Sequence, residues 1–212
     1  MSRFNKLLWP ILFRTVQEGY ALLHKQSRQS MQIIREGKSL SNLFDMENIR
    51  HILDSVKHID GDMAELGVCR GATAKLIATI CPHKTVHLFD TFAGLPCKDE
   101  SCDTLNLGDC PSDFDEVKKY LAEYSNVVFH VGLFPETAKG LEARFCFVNL
   151  DADQYRSMLD GLIYFYPHMV LGGIIVLHEY QLFAGVRKAV EDYSVKLICV
   201  PVGDSQGVII KS

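Results

Sequence analysis

The run Met63-Ala64-Glu65-Leu66-Gly67-Val68-Cys69-Arg70-Gly71-Ala72-Thr73-Ala74 constrains the fold more than any other stretch of the chain. It reads as a short buried strand over residues 63–66, a turn carrying two glycines, and a helix over 72–80 with Leu76 and Ile77 on one side. Gly67 and Gly71 carry no Cβ, which predicts that backbone comes close to something bound. The turn sits at the carboxyl end of its strand, where open α/β sheets take ligands. A βα turn that binds nothing has the same appearance, so the turn alone does not decide function.

From Gly61 onward strand and helix patterns alternate, which predicts a mostly parallel sheet. Further strands are expected at 86–90, 127–131, 145–150 and 174–177. Helices are expected at 114–124, at 154–166 closed by Pro167, and at 184–193, with a connecting segment at 134–141. Residues 196–200 and 207–211 form a terminal hairpin, which makes one strand antiparallel. The class is therefore α/β, Rossmann-like. Residues 91–111, rich in Asp, Gly, Cys and Pro, are a long loop beside the second strand tip, placed to fold over a ligand.

Residues 1–60 contain no strand-like run. Phe13, Val16, Tyr20 and Leu23 recur at helical spacing, and Ile49, Ile52, Leu53 and Val56 form a second apolar stripe. This predicts two or three helices in an N-terminal extension (1–60), ahead of a ligand-binding domain (61–212). The extension is read as core packing, a subunit contact or a substrate lid. The polar stretch 26–41 is expected to be a mobile connection. An amphipathic extension is compatible with a homodimer.

With 212 residues the chain is long enough to bury a sizeable core. A net charge of −4 and the lack of a basic tract argue against nucleic acid as a partner. Seven scattered cysteines without C-x-x-C fit reduced thiols and a cytoplasmic location. Cys97, Cys102 and Cys110 crowd one loop, but their spacing matches no common zinc site. Leu7-Leu8-Trp9-Pro10-Ile11-Leu12-Phe13 is short, broken by Pro10 and followed by Arg14 and Glu18, so neither an export signal nor a membrane span is expected.

Two groups of polar residues carry chemistry. Asp90, at the second strand tip, follows Gly71 by nineteen positions, which suits a carboxylate that accepts from a ribose diol. The turn has two glycines spaced G-x-x-x-G, not the three of a pyrophosphate cradle. That favours a nucleoside without phosphate, such as S-adenosylmethionine, whose positive charges suit an acid such as Glu65. At the other end, strands 145–150 and 174–177 finish on Asp151 and on His178-Glu179. If these strands are neighbours, their tips lie roughly 5 Å apart, and the three side chains suit a divalent cation. The alternative is that Asp151 and Asp153 cap the next helix, a role expected for Asp153.

These segments together resemble the macrocin O-methyltransferase family, metal-dependent S-adenosylmethionine enzymes that methylate sugar hydroxyls. Glu65-Leu66-Gly67-Val68-Cys69-Arg70-Gly71 is similar to the family's E-T-G-V-W-R-G, and Asp90-Thr91-Phe92-Ala93-Gly94-Leu95-Pro96 to its D-S-F-E-G-L-P. Leu150-Asp151-Ala152-Asp153-Gln154-Tyr155-Arg156-Ser157 is similar to L-D-G-D-x-Y-x-S. Tyr166-Pro167, Gly172-Gly173 and Gly185-Val186-Arg187-Lys188-Ala189-Val190 follow in the family's order. The resemblance implies a class I methyltransferase fold, with the cofactor held at the first two strand tips by Glu65, Gly67, Arg70, Gly71, Asp90, Thr91 and Phe92. It also implies a magnesium ion at Asp151, His178 and Glu179; the family's Asp-Asp-Tyr is His178-Glu179-Tyr180 here, a change that would turn the preference toward manganese, zinc or iron, or abolish binding. Asp151 and His178 are the candidate general bases, acting on a hydroxylated small molecule. A methyltransferase with a non-sugar acceptor and no metal, and a cofactor-binding protein without transfer activity, stay open.

Overall fold

The structure is a computed structural model that describes residues 14–22, 24, 27–36 and 38–212. The apolar run 7–13, Leu23 and Gln26 lie outside these described residues. Seven strands form one sheet in the order β3-β2-β1-β4-β5-β7-β6. They are β1 (Asp62–Leu66), β2 (Val86–Asp90), β3 (Val127–Val131), β4 (Phe145–Leu150), β5 (Met169–Leu177), β6 (Cys199–Val202) and β7 (Gln206–Ile210). The first five run parallel, and β7 is antiparallel to both β5 and β6. The chain winds outward from β1 to β3, then returns to place β4 on the other side of β1. That reversal opens a crevice at the carboxyl ends of β1 and β4.

Helices cover both faces. Residues 14–22 are helical and are called α1. Then come α2 (Ser27–Arg35), α3 (Leu43–Val56), α4 (Ala72–Ile80), α5 (Phe114–Tyr120), α6 (Tyr155–His168) and α7 (Ala184–Asp192). On one face Ile33, Met46, Ile49, Leu53, Leu76 and Val117 from α2 to α5 share a core with Met63, Val86 and Phe147. On the other, Met158, Leu162, Phe165 and Val186 from α6 and α7 pack on Ala64, Phe89, Val148 and Ile175. The alternation of side chains along each strand decides which core a residue joins. No described helix is long and apolar enough to cross a membrane.

Several expectations change. The polar stretch 26–41 holds helix α2, because Ser27 and Ser30 turn inward to donate to Glu47 on α3, each at 2.6 Å. Glu47 also pairs with the buried Arg50 at 2.8 Å, so a polar face is buried here. Helix α5 ends at Tyr120, not 124. Pro167 lies inside the last turn of α6 and does not close it. The Gly172-Gly173 pair lies within β5, at a register irregularity against β4 between Phe145 and Phe147.

Candidate active site

The tips of β1, β2, β4 and β5 are joined in one row. Gly67 N–H donates to Phe89 O at 2.9 Å, Asp151 N–H to Leu66 O at 2.8 Å, and His178 N–H to Leu150 O at 2.9 Å. A cleft opens above them. It is walled by residues 38–41 ahead of α3, the glycine turn, the loop after β2, and the ends of β4 and β5.

Both glycines also serve packing within the protein. A Cβ on Gly67 (φ 91°) would lie 2.1 Å from the Asp151 carbonyl oxygen. One on Gly71 (φ 83°) would press on Val117 Cγ1 at 3.2 Å, and Gly71 does not line the cleft. Phe92 turns into the core, where it packs against Phe114. Glu65, Gly67, Arg70, Asp90 and Thr91 do line the cleft, Arg70 at its exposed rim.

Asp90 holds the turn itself. Its Oδ2 accepts from the N–H groups of Val68 (2.7 Å) and Cys69 (2.8 Å), and its Oδ1 from Phe92 N–H (2.7 Å). The carboxylate thereby fixes both loops that flank the crevice. Glu65, 1% exposed, accepts from Asn149 Nδ2 at 3.0 Å through Oε1, while Oε2 has no partner. Burial pushes the Glu65 pKa well above the usual carboxylate range, and the Asp151 and Asp90 charges push it further. A buried, unpartnered carboxyl oxygen in a cleft wall calls for a hydrogen-bond donor from a ligand.

Asp151, His178 and Glu179 do converge. His178 Nδ1 lies 3.3 Å from Asp151 Oδ1 and 3.3 Å from Glu179 Oε1, and His178 Nε2 lies 3.3 Å from Ser41 Oγ. Burial disfavours the imidazolium, but the surrounding carboxylates of Asp151, Glu179 and Asp45 outweigh it and push the His178 pKa up to about 10. Burial raises the Asp151 pKa against the opposing pull of His178. Among the described residues, no three His, Cys, Asp or Glu side chains are disposed to hold one metal ion. All seven cysteines are free, and burial pushes the cleft thiol of Cys69 up to about 11, so it stays protonated.

Asp153 does not cap α6. It sits at φ 59° in the cleft wall, and burial together with Asp151 raises its pKa to about 8. The first N–H of α6, on Tyr155, donates instead to Asp103 Oδ1 at 2.8 Å, from the long loop. Cys69, Cys110 and Glu179 also line the cleft with positive φ (50°, 59° and 55°). Such backbone costs on the order of 1 kcal/mol or more per residue and clusters at working sites.

Three contributors escaped the sequence reading. Asn149 orients Glu65, and its signal was a polar residue inside the apolar strand Phe145-Cys146-Phe147-Val148-Asn149-Leu150. Ser41 and Asp45 bring the N-terminal extension onto His178. Asp45 is itself fixed by Ser205 Oγ and Asn42 Nδ2, both at 2.6 Å. The spacing Asn42-x-x-Asp45 is a helix-start signature that marks this position.

A family model described as Macrocin-O-methyltransferase (TylF) matches residues 25–204. The chain is 25% identical over 227 residues to demethyldecarbamoylnovobiocin O-methyltransferase of Streptomyces niveus, covering 92% of this chain and 86% of that protein. It is 26% identical over 168 residues to 8-demethyl-8-(2,3-dimethoxy-alpha-L-rhamnosyl)-tetracenomycin-C 4'-O-methyltransferase of Streptomyces olivaceus, covering 70% and 64%. The structure of the O-methyltransferase NovP shares the fold, with a TM-score of 0.70, 22% identity and 82% of each chain covered.

Proposed function

The chain belongs to the macrocin-O-methyltransferase family and is an S-adenosylmethionine-dependent O-methyltransferase, and from that premise we propose that it methylates a hydroxyl of a sugar or another polyhydroxylated small molecule. The observation that carries this reading is the placement of Asp151 and His178 at adjacent strand tips, in the same cleft as the glycine turn. The Streptomyces olivaceus relative, a 4'-O-methyltransferase of a rhamnosyl-tetracenomycin, supports a sugar acceptor.

The cleft residues fit the cofactor. The unpartnered Glu65 oxygen suits a cationic donor, Asp90 has acceptor capacity beyond its three backbone bonds, and Thr91 and Arg70 line the same wall. When bound, S-adenosylmethionine supplies an electrophilic methyl group on a sulfonium. The rest of the task falls to the protein, because a sugar hydroxyl is too weakly acidic to ionise at neutral pH. Asp151 takes the hydroxyl proton as general base, and its raised pKa brings it nearer the operating pH. His178 holds Asp151 in place and is not itself the base, since both its ring nitrogens already have partners. Thr91, Ser41 and the loop after β2 orient the acceptor and exclude water.

The divalent cation that the family resemblance implies at Asp151, His178 and Glu179 does not fit these donors as they stand, because His178 Nδ1 is turned to both carboxylates and its Nε2 to Ser41. Proton transfer is assigned to side chains alone.

The test is transfer of a labelled methyl group from S-adenosylmethionine to a panel of rhamnosides and other glycosides. Asp151→Asn lowers kcat by about 10²–10⁴-fold and leaves cofactor affinity within a few-fold. A fully active Asp151→Asn enzyme removes Asp151 from the reaction.

A further inference from the structure

His178 stands where the sequence pattern of the family has an aspartate, and its side chain lies between the two carboxylates that remain. Its Nδ1 is 3.3 Å from an oxygen of each, Asp151 Oδ1 and Glu179 Oε1. A ring nitrogen facing two acceptors carries its hydrogen, and a nitrogen that carries hydrogen has no lone pair for a metal. The other ring nitrogen, Nε2, is engaged by Ser41 Oγ at 3.3 Å. The ring is 4% exposed. The Asp45 carboxylate, which Ser205 and Asn42 fix in place, adds an attractive charge from the start of α3.

Resting on the methyltransferase reading above, we infer that this enzyme works without a divalent cation: His178 bridges Asp151 and Glu179 in the position a cation would take. The replacement of an acid by an imidazole has two effects. It removes one of three oxygen ligands, and it supplies a hydrogen-bearing group that ties the remaining two acids together. His178 is thus a positioning residue. It fixes the Asp151 carboxylate toward the acceptor and lessens the mutual repulsion of Asp151 and Glu179.

The consequence is a switch in metal requirement that one substitution reverses. Wild-type protein and His178→Asp are stripped with a chelator and titrated calorimetrically with manganese and with magnesium. Methyl transfer is then measured with and without EDTA. The wild type gives no saturable manganese binding below millimolar concentration, and EDTA changes its turnover less than twofold. His178→Asp, which restores the aspartate pattern, gains manganese binding tighter by at least tenfold, and its remaining turnover falls at least tenfold in EDTA. A purely structural histidine would not move the metal requirement in this way.

Micromolar manganese binding by the wild type that Asp151→Asn abolishes overturns the inference. So does a tenfold loss of wild-type turnover in EDTA that manganese or magnesium restores. The wild-type titration stands by itself if His178→Asp fails to fold. If no glycoside is methylated under any condition, the acceptor reading fails, while the manganese titration still decides the role of His178.

Discussion

Asp90 shows what residue spacing leaves out. Its spacing from the glycine turn marked it as a ribose acceptor, but its three bonds to Val68, Cys69 and Phe92 N–H groups were not legible. Backbone donors leave no trace in residue spacing. Asp90→Ala leaves three N–H groups without their charged acceptor and costs about 3 kcal/mol or more. Thermal unfolding of the variant shows a clear fall in Tm, and calorimetry shows loss of S-adenosylmethionine binding. Asp90→Asn, with a single acceptor oxygen, falls between the two proteins in both measurements. Glu65 was legible as an acid of the site, whereas its anchoring by Asn149 depends on the pairing of β1 with β4. Asp153 was misread for a similar reason: the group that caps α6, Asp103, comes from a loop 52 positions away from the Tyr155 that it caps.

Most strands were legible as elements, because short apolar runs bounded by Gly, Asp and Asn leave few alternatives. Helix α2 was not. Its polar face is buried against Glu47 and Arg50, so polarity misled the reading toward a mobile linker. This clasp has a pH signature. Burial alone would raise the Glu47 pKa, but Arg50, Ser27 and Ser30 overcome it and hold it below the ordinary glutamate value. A depressed folded-state pKa contributes stability that is complete above the unfolded value and is lost as pH falls through the folded one. Acid titration followed by thermal unfolding therefore shows a loss of Tm below the ordinary glutamate range that Glu47→Gln lessens. Glu47→Ala takes the buried carboxylate away from Arg50, which keeps its pairing with Asp54, and costs about 3 kcal/mol at neutral pH. The long loop after β2 was legible as an element beside the site. Its attachment to α6 through Asp103 predicts that Asp103→Ala, a lost cap of about 1 kcal/mol, raises the acceptor KM more than it weakens cofactor binding. Parallel acceptor kinetics and cofactor calorimetry separate the two effects.

At the scale of the whole molecule, fold class and crevice position followed from the alternating pattern, and core packing was among the readings of the extension, but its tie to the far end of the chain was not legible. α3 carries Met46, Ile49 and Leu53 into the same core as β1 and β2. It is joined to the far end of the chain by Ser205 and Asp45, 160 positions apart. The crevice is equally non-local, since Glu65 and its partner Asn149 lie 84 positions apart. Chains dominated by such distant pairings fold slowly, because closing the loop is an entropic cost that precedes its reward. The row of strand tips that makes the site is complete only once β1, β4 and β5 are side by side. The cofactor therefore recognises a finished molecule and has no surface to bind during assembly. In stopped-flow experiments, S-adenosylmethionine slows unfolding and leaves the refolding rate unchanged. The strand order thus sets a sequence of events in time: the chain must complete its architecture unaided, and only afterwards does its ligand lock it.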